Sequence, residues 1–185
     1  MAKKVKKSYY ALHLIYENQQ YNEYIYVEGK VNEYVLEETN KLIEENVPKS
    51  LVYYFYENGG MVYVTDNDLT EMCNNISNKN KFYHVTGLFL KKDCSIYFSN
   101  HIGNTKYGTL EHEFGHYLDY LFGWYSESEN FKEIFAEEKG SFQKNINNEE
   151  HYKTEDEYFA ECYSIYLTEG ETIHSTIGNG VTWGY

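Results

Sequence analysis

Along the first hundred residues the period of the apolar positions changes several times. Residues 9–16 and 24–27 are β-branched and aromatic runs that predict strands. Val31, Tyr34, Val35, Leu42 and Ile43 instead recur at helical spacing and stop before Pro48, which predicts a helix. Residues 51–56 and 61–65 flank Glu57-Asn58-Gly59-Gly60, the pattern of a hairpin. A helix is expected over 68–76, then a second hairpin formed by 85–90 and 94–99 around Lys91-Lys92-Asp93.

The second half reads as helical, with amphipathic stretches over 106–122, 127–139 and 155–168. Ser126-Glu127-Ser128-Glu129 and Thr154-Glu155-Asp156-Glu157 both fit capping boxes. A mixed sheet followed by a helical half gives an α+β fold. Neither a repeat nor a low-complexity linker divides the chain, so residues 9–185 are expected to form a single domain behind a basic tail, residues 1–8. From Thr172 onward the sequence is rich in Gly, Thr and Asn and predicts irregular structure.

Charge narrows the possible partners. The 16 Lys and Arg against 29 Asp and Glu give a formal charge of -13, which repels a phosphate backbone and argues against nucleic acid as a partner. Lys3, Lys4, Lys6 and Lys7 form a basic cluster read as a solvated tail. No apolar run spans a bilayer, and Ser8-Tyr9-Tyr10 rather than a signal-peptide core follows the lysines. A soluble chain with no membrane partner is expected, cytoplasmic by default, with secretion by another route left open. Three widely spaced cysteines, Cys73, Cys94 and Cys162, suit neither a disulfide framework nor a thiolate metal site.

The chemistry concentrates in His112-Glu113-Phe114-Gly115-His116, an H-E-x-x-H pattern. Leu110, Phe114, Tyr117, Leu118, Leu121 and Phe122 place it on an amphipathic helix. Residues four apart share a helical face, so His112 and His116 can offer two imidazole nitrogens to one tetrahedral zinc. Glu113 then reaches a metal-activated water without itself coordinating. The strand over 94–99 lies directly upstream, where an edge strand can pair with an extended peptide across the metal.

A catalytic zinc needs a third protein ligand and an open position. The position six residues beyond His116, where metzincins carry a histidine, is Phe122, which excludes that class. Asp119 shares the helix, but at 1.5 Å rise per residue it lies roughly 4.5 Å beyond His116 and points past the metal. Glu157 and Glu161, four apart on a separate helix, can divide the work, one binding zinc and the other hydrogen-bonding a ligand imidazole. The remaining histidines, His13, His84, His101 and His174, lack ligand spacing.

Three collinear blocks sharpen this reading: residues 110–116 with the motif, Phe131-Lys132-Glu133-Ile134-Phe135-Ala136-Glu137-Glu138, and Glu157-Tyr158-Phe159-Ala160-Glu161. Across roughly residues 85 to 168 the sequence resembles the catalytic domain of anthrax lethal factor and the clostridial Pro-Pro endopeptidases. The resemblance implies a zincin-like α+β fold and endopeptidase activity. It also implies Glu157 as the third zinc ligand and Glu161 as the support of a ligand histidine. Members of this family carry an oxyanion-stabilising Tyr shortly before the ligand Glu. Tyr152 is the nearest match, two residues closer to Glu157, and His151 beside it is the alternative donor.

The expected activity is hydrolysis of peptide bonds in a protein substrate bound as an extended strand, with one Zn2+ per chain and Glu113 as general base. Two other readings stand beside it: a noncatalytic zinc-containing binding or toxin-like adaptor protein on the same fold, and an enzyme acting on a non-peptide amide. An intact Glu113 speaks against the adaptor, because a purely structural site has no use for a base.

Overall fold

The computed structural model describes residues 15–77, 82–100, 108–145 and 154–169. The basic tail 1–8, most of the strand expected over 9–16 and the Gly-rich stretch from Thr172 lie outside these residues. Five strands and six helices follow in the order β1 (Ile15–Gln20), β2 (Ile25–Asn32), α1 (Glu33–Glu45), α2 (Lys49–Glu57), β3 (Met61–Thr65), α3 (Leu69–Ile76), β4 (Gly87–Leu90), β5 (Ser95–Ser99), α4 (Thr109–Leu121), α5 (Glu129–Asn145) and α6 (Glu155–Glu169). A mixed sheet with intervening helices, then a helical C-terminal half, makes the α+β zincin-like arrangement.

The sheet order is β1-β2-β3-β5-β4. Strands β2, β3 and β5 run parallel, while β1 and β4 pair antiparallel at the two edges. Register aligns the inward side chains in rows. Ile25, Val62, Ile96 and Phe89 form one row, and Val27, Val64 and Phe98 form the next, which ends on the edge at Gly87. The strand residues of these rows other than Phe89 and Gly87 are fully buried, together with Val35 and Leu36 of α1 and Leu110, Phe114 and Tyr117 of α4.

Besides Val31, which lies near the end of β2 opposite Tyr16 rather than in α1, and the cap of α5, two expectations change. Residues 51–56 are not a strand of a hairpin but lie in α2. Their continuous apolar run reads as a strand, yet only Leu51 and Phe55, four apart, are buried, while Tyr53 and Tyr54 are 60% and 59% exposed. Tyrosine tolerates that exposure because its ring carries a polar tip. Pro48 stands at the N-cap, and the Asn58-Gly59-Gly60 amides return to the carbonyls of Tyr54, Tyr56 and Phe55, so the supposed hairpin turn is a helix C-cap. The second change concerns the edge. Strand β5 is interior, and the edge facing α4 is β4.

The second hairpin appears as expected, with Gly87 opposite Phe98 and Leu90 opposite Ser95. Asp68 caps α3 through hydrogen bonds from the Thr70 and Glu71 amides. Helix α5 is capped not by Ser126 but by Ser128, whose Oγ accepts from the Phe131 amide. Ser126 is committed elsewhere. Among the described residues no helix is long and apolar enough to cross a membrane, and all three cysteines are free thiols.

Helix α2 is locked to α4 by one ring. Phe55 meets Phe114 edge-on at 5.3 Å and Tyr117 at 4.9 Å. Phe55→Ala is expected to lower stability by about 3–5 kcal/mol, measured by urea unfolding. A loss below about 1 kcal/mol would mean that α2 does not depend on this contact.

Candidate metal centre

Helix α4 begins in an unusual way. Gly108, at its N-cap, has φ +68, a left-handed conformation that side chains disfavour, and its carbonyl accepts from Ser164 Oγ of α6 at 2.9 Å. Halfway along, Gly115 faces Ala160. A Cβ on Gly115 would lie 2.7 Å from Ala160 Cα and 2.8 Å from its carbonyl oxygen, so only glycine allows this approach of the two backbones. The close crossing sets Glu157 and Glu161, one turn apart on α6, against His112 and His116, one turn apart on α4.

The resulting contacts are specific. Glu157 Oε2 lies 3.2 Å from His112 Nε2, and Glu157 Oε1 lies 3.7 Å from His116 Nε2. Glu161 Oε2 lies 3.1 Å from the other nitrogen of His112, Nδ1. The two imidazoles stand nearly perpendicular, with centroids 4.8 Å apart. One ligand atom from each of His112, His116 and Glu157 falls within 4.8 Å of the others. A tetrahedral zinc with bonds of about 2.0–2.1 Å separates neighbouring donors by about 3.3 Å. The spacing and the chemistry of this donor set suit a metal ion.

Electrostatics follow from burial. For the side chains alone, burial opposes charge on His112, but hydrogen bonds to Glu157 and Glu161 outweigh it and hold its pKa well above the ordinary value. His116 is pushed down to about 4 by burial and by positive His112. Burial lifts the Glu113 carboxyl to about 7, with Glu157 adding to the rise, while His112 and the Phe89 N–H of β4 pull the other way. A carboxylate that titrates near neutrality beside a metal-capable group is what proton transfer requires.

His112, Glu113, His116, Glu157 and Glu161 thus come together. Tyr152 and His151 lie outside the described residues. His84 is exposed and stands outside the metal-capable group, and His13, His101 and His174 fall outside the described residues. Asp119 is no part of the group. Its buried carboxylate accepts from the Ser126 amide at 2.8 Å and from Ser126 Oγ at 2.5 Å, bracing the turn after α4. Sequence reasoning passed over Gly87, where a Cβ would lie 2.5 Å from Glu113 Oε1. No sequence signal marks it, because the contact depends on which strand reaches the edge.

An H-E-x-x-H helix under a mixed sheet, joined to a carboxylate helix, is the fold of a metal-dependent peptidase. A family model described as anthrax toxin lethal factor, N- and C-terminal domain, matches residues 14–177, and the chain belongs to that family. Among solved structures, that of the Pro-Pro endopeptidase PPEP-2 from Paenibacillus alvei has a similar fold. It aligns with a TM-score of 0.56 at 15% identity, over 83% of this chain and 91% of that one. No curated protein matches the sequence.

The crossing generates a test. Gly115→Ala should force α6 away from α4 and weaken metal binding by about 10-fold or more, read by competition with a chelator. Unchanged affinity would show that the glycine contact does not position Glu157.

Proposed function

We propose that this protein is a zinc-dependent endopeptidase in which His112, His116 and Glu157 hold one Zn2+ and Glu113 is the general base. The observation that carries the reading is the buried Glu113 carboxylate beside the His, His, Glu donor set. A protein that only retains a metal has no use for a buried carboxylate there.

Zinc in such a site acts as a Lewis acid, polarising a carbonyl and acidifying water. The chain's residues do the rest. His112 presents Nε2 to the metal side and its Nδ1 to Glu161, which fixes the tautomer and the ring plane. Glu113 takes the proton of the attacking water and delivers it to the leaving amine nitrogen. Burial raises its pKa and so makes it a readier proton acceptor. Tyr152, or His151 in its place, donates to the oxyanion.

The substrate is a polypeptide in extended form, added to the free edge of β4. Alternation along the β4–β5 ladder supports that placement. The Ser99 amide donates to the Thr86 carbonyl, which makes that pair hydrogen-bonded. By alternation Gly87 and Phe89 therefore turn their N–H and C=O groups outward. An extended peptide finds its partners there.

Glu113→Gln should keep one zinc per chain but lose about 10²–10⁴-fold in cleavage rate, measured by elemental analysis and by comparing new protein N-termini in a lysate treated with each form. Retained cleavage would remove Glu113 as the base. In the same series Glu157→Ala should abolish tight zinc binding, Glu161→Ala weaken it about 10–100-fold and Asp119→Ala leave it measurable. Loss with Asp119→Ala and retention with Glu157→Ala would reverse the ligand assignment.

A further inference from the structure

The general base assigned above is held in place by the edge strand as well as by its own helix. Strand β4 and helix α4 run side by side. Phe89 packs its ring on Tyr117 and Tyr120 of α4, at 5.8 and 6.1 Å. Two residues earlier on the same strand face, the row Val27, Val64, Phe98 ends at Gly87 with no side chain. The Glu113 carboxylate rises into the space left there. A Cβ on Gly87 would lie 2.5 Å from Glu113 Oε1, 2.8 Å from Glu113 Cγ and 2.8 Å from Thr109 Cγ2. The outward N–H of Phe89 lies toward the same carboxylate and draws its pKa down.

We propose that Gly87 is a positioning residue that opens a seat for the Glu113 carboxylate on the peptide-binding edge of the sheet. Gly87 supplies the room, and the packing of Phe89 on α4 holds the strand against it. The role of the seat in catalysis rests on the endopeptidase reading; its existence does not. Glu113 is flanked on its helix by His112, which cannot orient it because the two residues point along different faces. The strand therefore sets the carboxylate's direction. Its position is then tied to the strand that receives the substrate, so base and scissile bond share one reference.

Any side chain at 87 should displace the base while sparing the metal ligands, because neither of the two residues a new methyl would meet is His112, His116 or Glu157. The test is a double-mutant cycle built on Thr109→Ala, which leaves only Glu113 among those neighbours. With zinc in fixed excess, Gly87→Ala should lower Tm by about 3 °C or more in this background. With Glu113→Ala also present, the same substitution should lower it by less than half as much. Equal losses in both backgrounds would overturn the seat.

Activity adds a second readout. On a peptide that the wild type cleaves, Gly87→Ala should lower kcat by about 100-fold with KM within about threefold, and zinc affinity by chelator competition should stay within about threefold. An unchanged kcat, or a zinc affinity lowered by about 10-fold or more, would overturn the positioning role. If the wild type cleaves no peptide, the endopeptidase reading fails, and the thermal cycle still decides whether the seat exists.

Discussion

The close crossing of α4 and α6 at Gly115 and Ala160 is the constraint on which the centre depends. Residues four apart share a face on each helix, so two helices in contact can interlock two pairs of side chains. Here the pairs are His112 with His116 and Glu157 with Glu161. Neither helix could assemble the donor set alone. Around the crossing, Phe131 and Phe135 of α5 pack with Tyr158, Phe159 and Cys162 of α6, and Tyr158 donates to Glu138 at 2.7 Å. The carboxylate helix is thereby braced from behind by α5.

The sheet makes a different contribution. Its inward rows bury α4 from the other side through Leu110, Phe114 and Tyr117, which leaves the polar face of α4 for α6. A helix packed on both faces must account for every buried charge. Asp119 is satisfied by Ser126 and His112 by two carboxylates; Glu111 accepts from Asn46 at one oxygen, its other oxygen having no partner among the described residues, and Glu113 lies near the imidazole of His112. Burial of this kind raises the cost of ionisation unless an opposite charge is supplied, and a divalent cation supplies it.

Much of this was legible in the sequence where local spacing decides the outcome. The H-E-x-x-H stripe, the Glu157 and Glu161 pair and the α+β order all follow from periodicities of 3.6 and 2. Other features depend on what a segment meets after folding. Residues 51–56 read as a strand because tyrosines mask an amphipathic helix, whose buried positions are only Leu51 and Phe55. Strand order was hidden as well, since β4 and β5 form an ordinary hairpin in sequence and only the parallel pairing of β5 with β3 makes β4 the edge. Gly87 and Gly115 look like any other glycines until the neighbouring backbone or carboxylate is in place.

Anomalous diffraction at the zinc absorption edge, from crystals of the protein loaded with one equivalent of Zn2+, tests the central claim most directly. The account predicts one strong peak at a bonding distance of about 2.0–2.2 Å from Nε2 of His112, Nε2 of His116 and a carboxylate oxygen of Glu157, with Glu161 still on His112 Nδ1. A peak that excludes Glu157, or that lies away from α4, would contradict it.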